Sequence, residues 1–254
     1  MGFWKEFGDV LKEAVAEDYA NRDKVAKLYR FASTHNSDDQ QSVGLEDYIG
    51  RMQDGQDKIY YTTAENYASA ISSPHLELFR KKGIEVLLLN GRIDEWMMSH
   101  LFEFEGKSFQ HIAKGELDQV LSEEESKDHE EKAKQAESLT ERIHEVLSDQ
   151  VDAVKVTHRL TQSPACLVLN AHEMGAQMRQ IMEAAGQPLP ETKPSFEINP
   201  DHELIKQLDR EQDEDRFKDL ALVLFDQACL ADGHPLKDAN SYVKRVNRLL
   251  LGLA

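Results

Sequence analysis

Ten histidines, two cysteines and 47 aspartates and glutamates carry the acid–base, nucleophilic and ligating capacity of this 254-residue chain. Their spacing assembles no recognisable reaction centre. HExxH, CxxC and GxSxG are all missing from the sequence, and the 13 glycines stand singly, so no zinc-ligand pair, redox dithiol, activated serine or phosphate-cradling loop is spelled out. The carboxylate run Asp209 to Asp219 comes nearest to a calcium loop, but it lacks the glycine of the sharp turn and holds Arg210, Arg216 and Phe217. Cys166 and Cys229 lie far apart in apolar surroundings and read as buried thiols, and the histidines are isolated from one another. The chain therefore reads as a non-enzyme, with no metal or cofactor expected on it.

What the sequence offers instead is adaptable apolar surface. In His172 to Gly186, HEMGAQMRQIMEAAG, the residues Met174, Met178, Ile181 and Met182 fall at i, i+4, i+7 and i+8, one face of a helix, and three of the seven methionines sit there. Thioethers are unbranched and polarizable, which suits a surface that accepts many apolar shapes. The same periodicity equally describes a stripe buried in a core.

The elements that would position this stripe can be read along the chain. Phe3, Trp4, Phe7, Val10 and Leu11 share a helical face, and a second helix follows with Asn21 at its start and Val25, Leu28, Tyr29 and Ala32 inward. After a polar loop, Leu45 to Met52 is a short helix. Lys58 to Thr62 is a strand, Ala64 to Ile71 a helix, and a further helix opens on Ser73-Pro74 and closes on Gly83. Ile84 to Leu89, IEVLLL, is apolar enough to be a strand buried on both faces, and strand–helix–strand implies a right-handed βαβ crossover. Arg92 to Leu101 is helical with Ile93, Trp96, Met97 and Leu101 on one face and Met98 elsewhere, and a strand pair around Gly106 follows.

SEEESKDHEEKAK, inside Glu116 to Ser138, is a solvated helix or hinge and places a domain boundary near residues 120 to 130. Leu139, Ile143, Val146 and Leu147 continue as helix. Strands are expected at Val151 to Thr157, Ala165 to Leu169 and Ser195 to Ile198, and a helix with Leu204, Ile205 and Leu208 inward. Leu220 to Phe225, LALVLF, is apolar nearly all round, and Tyr242, Val246, Leu249, Leu250 and Leu253 make a second stripe. Two such helices suit a two-fold bundle between copies, although both could be covered within one chain. The fold class is a helix-rich α+β protein: a helical connector over about 1–55, a small βαβ subdomain over about 56–115, an acidic linker, and a mixed domain over 126–254 ending in bundle helices.

Hydrophobic residues at 40% are ample for a core, while a net charge of −17 opposes general affinity for phosphate backbones. No apolar run approaches a membrane span and no secretory leader is evident, so a cytoplasmic protein is expected.

Nine segments in collinear order carry a resemblance: FWKEFGDVLKE, AKLYRFAST, QDKIYYTTAENY, SSPHLELFRKKGIEVLLL, RIDEWMM, THRLTQSPACLV, MGAQM, INPDHELI and FDQACLADG. Together they resemble the carboxyl-terminal half of a heat-shock protein 90 chaperone of the bacterial type, HtpG. The resemblance implies the late middle domain (1–125) followed by the dimerization domain (126–254), without the amino-terminal ATPase domain, so that ATP and Mg belong to full-length relatives. It implies client contact at Trp96, Met97 and Ser99 and on the helix bearing Met174, Met178, Ile181 and Met182. It implies dimerization through Leu220, Leu224, Phe225, Tyr242, Val246, Leu249, Leu250 and Leu253. Implied partners are a second copy, unfolded or partly folded proteins, and other chaperones in the stress response. The alternative is a structural dimerization module with client binding and chemistry elsewhere. Ala14, where a glycine is usual, and Met182, where an aromatic can stand, depart from the family pattern.

Overall fold

The computed structural model describes residues 2–17, 21–36, 38–175, 178–179, 181–182, 185–187, 189 and 192–252. It is helix-rich with mixed sheets. Two compact units are present, Met1–Lys114 with Met174–Pro190, and Gly115–Glu173 with Glu191–Ala254. Among the described residues no helix is long and apolar enough to cross a membrane.

The first unit opens with helix α1 (Gly2–Glu17) and the short α2 (Arg22–Ala26). The sequence pattern carries α2 through Ala32, but the chain leaves the helix at Lys27. Leu28 is left half exposed, and Ala32 enters strand β1 (Ala32–Ser33). Tertiary pairing decides this: Phe31 exchanges both backbone hydrogen bonds with Val43, and Ala32 and Ser33 pair with Leu88 and Leu87. A spacing of i, i+3, i+4 and i+7 cannot foresee partners so far along the chain. Asn21 does occupy the position before α2, but its side chain makes no capping bond.

Helix α3 (Leu45–Ile49) sends the Tyr48 hydroxyl into the interior, where it accepts from the Tyr60 N–H at 3.0 Å and donates to the Glu85 carbonyl at 2.7 Å. Strand β2 (Lys58–Thr63) leads through α4 (Tyr67–Ile71) and α5 (Leu76–Lys82) to β3 (Leu87–Leu89). Strands β2 and β3 are parallel, as the βαβ reading requires. Helix α5 starts two residues later than Ser73-Pro74 suggests, because the Ser73 and Pro74 carbonyls first close a turn onto Leu76 and Glu77. It stops where expected. Gly83 takes φ +65°, and the Ile84 N–H reaches back to the Phe79 carbonyl at 2.9 Å, satisfying a helix-end acceptor.

Leu87, Leu88 and Leu89 are all buried because β3 lies inside a five-stranded sheet ordered β1-β3-β2-β5-β4. Its last two members, β4 (Glu103–Phe104) and β5 (Lys107–His111), form the expected hairpin. Glu105 and Gly106 both take positive φ, matching the right-handed strand twist. Helix α6 (Asp94–Met98) packs inward with Met97, Leu101 and also Met98, which the sequence pattern places elsewhere.

In the second unit, α7 (Glu123–Gln135) buries no residue and starts from a reciprocal cap between Ser122 and Glu125. Helix α8 (Glu137–Leu147) turns Leu139, Ile143 and Leu147 onto a three-stranded sheet of order β6-β8-β7. Strand β8 (Ser195–Ile198) lies centrally, parallel to β6 (Ala153–Val156) and antiparallel to β7 (Ala165–Val168). Helices α9 (Glu203–Arg210) and α10 (Glu214–Ala231) close this core with Ile205, Leu208, Phe217, Ala221, Leu224 and Phe225, while Leu204 stays exposed. The terminal helix α11 (Ala239–Leu251) lies along α10 and buries none of its side chains.

Candidate functional site

The Met-bearing helix begins later than its sequence pattern. Ala171 and His172 lie in a turn, and among the described residues the first helical bond runs from the Arg179 N–H to the Gly175 carbonyl at 3.1 Å. It ends as read: the Ala185 N–H donates to Ile181, Gly186 takes φ +73°, and the Gln187 N–H returns to the Met182 carbonyl at 3.1 Å. Gln177, Gln180 and Glu183, read as the polar side of this helix, lie outside the described residues. On the apolar stripe, Met174 is 42% exposed and Ile181 46%, with Met178 and Met182 half-buried.

A single carboxylate joins this helix to α6 within the first unit. Glu95 accepts from the Gly175 N–H at 2.5 Å and from the Met178 N–H at 2.8 Å, and Lys114 Nζ stands 3.8 Å from the same side chain. A Cβ at position 175 would meet the Glu95 carboxylate, so a side chain there would push that carboxylate away from its present place. The neighbouring Asp94 serves the other side of α6. It meets the buried Lys12 ammonium of α1 at 2.5 Å and accepts from the Gly91 N–H at 2.8 Å, while Lys12 lies 5.6 Å from the ring centres of Trp4 and Phe31.

Of the α6 candidates, Ser99 is exposed and its hydroxyl donates to the Trp96 carbonyl at 2.6 Å. Trp96 is half-buried, with the His100 ring 4.6 Å away. Met97 is fully enclosed in the core, so it offers no surface. The helix is amphipathic, and its inward face claims Met97 together with Leu101. Phe102, just beyond, is 65% exposed and is not singled out by periodicity because it lies in the loop before β4.

The candidates for a surface between copies divide in the same way. Leu224 and Phe225 are buried in the chain's own core, against β7 and α8, and Leu220 packs against that core. Leu224 and Phe225 are thus internal to the chain, and Leu220 is half-buried. Tyr242, Val246 and Leu249 on α11 are half-buried, Leu250 is 61% exposed, and Leu253 lies outside the described residues. Two ion pairs hold α11 to α10, Arg245 to Asp226 at 2.5 Å and Arg248 to Asp219 at 3.0 Å.

Neither cysteine offers a nucleophile. Neither is in a disulfide, Cys166 is buried, and burial pushes the Cys229 thiol up to about 12, far from thiolate at neutral pH. Among the described residues no group of three or more His, Cys, Asp or Glu is arranged to hold a metal ion. The arrangement presents shape and apolar contact.

A family model described as Hsp90 protein matches residues 1–253. The chain belongs to the Hsp90 family. Hsp90 proteins are chaperones with weak ATPase activity, and the family as a whole contacts client proteins and dimerizes. Among the described residues, Met174 and Ile181 near the methionine stripe, Phe102 beyond α6, and Val243, Leu250 and Leu251 on α11 are large apolar side chains left exposed.

Proposed function

We propose that this Hsp90 chain corresponds to the late middle domain and dimerization domain of a bacterial HtpG-type chaperone, acting in the cytoplasm as a homodimer that holds unfolded or partly folded proteins. The observation that carries the reading is the pair Met174 and Ile181, large apolar side chains left open just before and on a helix whose start is bonded to Glu95. Isolated stripes of this size stay within the few hundred Å² that a soluble protein tolerates. Two copies around one cleft would turn weak contacts into useful retention. ATP and Mg belong to the amino-terminal domain of full-length relatives, so no cofactor is assigned to these residues.

Replacing Met174, Met178 and Met182 together with Gln removes apolar reach while keeping helix propensity. Suppression of aggregation of a denatured client should fall several-fold at unchanged oligomeric state. Undiminished suppression would leave a dimerization module with client selection elsewhere.

A further inference from the structure

Glu95 is about nine-tenths enclosed, yet it belongs neither to the apolar surface nor to the Lys12–Asp94 pair beside it. A carboxylate in such a place needs its lone pairs satisfied, and two backbone N–H groups at the start of the Met-bearing helix do most of this. Charge-assisted bonds of this kind are about twice as strong as neutral ones. They also sit where a helix start favours negative charge. A Cβ added at position 175 would meet the Glu95 carboxylate itself, so the Gly175 backbone lies directly against that side chain.

We infer that Glu95 is a positioning residue for the client surface: it touches no client, but fixes where the Met-bearing helix begins and so which of its side chains face outward. Met174 precedes the anchored amides and Ile181 follows them, and both are exposed. Without the carboxylate, the Gly175 and Met178 amides lose their acceptor and the helix start is free to shift or fray. Asp94, one residue earlier, cannot substitute, because Lys12 and the Gly91 N–H engage its carboxylate. This inference rests on the proposed client-holding role.

The test uses the full chain with Glu95→Ala, Glu95→Gln and Gly175→Ala, reading amide hydrogen exchange at position 175 and at Met178, and the Kd for a permanently unfolded reporter protein. Glu95→Ala should speed exchange at both amides by about tenfold or more, the loss expected for bonds to a charged acceptor. It should also weaken reporter binding several-fold. Glu95→Gln keeps one acceptor oxygen and should fall between. Gly175→Ala should act in the same direction with Glu95 present, which separates loss of position from loss of charge. Weaker binding with unchanged exchange would make Glu95 a direct contact and overturn the inference. Faster exchange with unchanged binding would overturn it as well. Failure of the client-holding role has its own signature, since the triple Met→Gln chain would then bind the reporter as the parent does.

Discussion

Arg159 is among the largest fully buried side chains, and its charge is met at close range. Its Nε donates to Glu197 at 3.1 Å, the Thr157 hydroxyl donates to the same carboxylate oxygen at 2.5 Å, and the guanidinium also bonds the Gly115 carbonyl. Removing one partner of a buried ion pair strands the other, at a cost of about 3–5 kcal/mol. Arg159→Ala should therefore lower the unfolding free energy of the second unit by that order. Lys206→Ala, which breaks a pair to the exposed Glu203, should cost far less, because solvent screens that pair. Urea titration followed by circular dichroism makes the comparison; equal, small losses would remove the buried triad from the account. None of this was legible in sequence, because Arg159 and Glu197 lie 38 residues apart and neither stands in a patterned stripe. Glu95 and Gly175, 80 residues apart, were invisible for the same reason.

Helix α7 was legible, because Ser122 and Glu125 declare a capped start and the residues after them are solvated all round. Its contact with β6 was not. His129 on α7 bonds the Val156 carbonyl at 3.0 Å, and its ring stands 5.0 Å from that of His158, nearly perpendicular. Burial above all, then the charges of His129 and Arg159, lowers the His158 pKa to about 4, against weaker opposing pulls from Glu116 and Glu125. Lys134, Glu137, Lys155 and Glu197 also line the hollow beside this pair. A histidine neutral in the folded chain but protonated near its ordinary value when unfolded gives the unfolded state more protons between about 4 and 6.5. Its contribution is complete above about 6.5 and is lost as pH falls toward 4. The drop in Tm between about pH 7 and about pH 5 should thus be smaller in His158→Gln than in the parent, by scanning calorimetry. Parallel profiles for the two chains would contradict this.

At the scale of the whole molecule, apolar residues sort into those that hold a unit together and those left outside. Leu224 and Phe225 hold the second unit, so a charge there would unfold it rather than report on association. Leu250 lies outside, on a helix that has no fully buried side chain. For the proposed homodimer, Leu250→Glu should yield monomers in sedimentation velocity, with a Tm set by the intact core rather than by the lost contact. A dimer that persists at micromolar concentration would move the interface away from α11. A net charge of −17 opposes association between copies, and low ionic strength, which screens that repulsion less, should weaken the proposed dimer.

Local order was written in the amino-acid sequence. The buried strand came from the last three residues of IEVLLL, while Ile84 to Val86 stay outside it; the end of α5 came from Gly83, the hairpin from the turn at Gly106, the cap of α7 from Ser122 and Glu125, and the family from segments standing in collinear order. All but the family depend on residues within a few positions of one another, where spacing and backbone preference act directly; the family rests on the order of segments along the whole chain. Only the tertiary structure decided which stripes face inward. Met97, Leu224 and Phe225 went to cores, while Met174, Ile181 and Leu250 stayed open, although all six sit in stripes or runs of similar apolarity. Periodicity states which side chains share a face; what that face meets is set by chain brought from far away, as Glu95 meets Gly175.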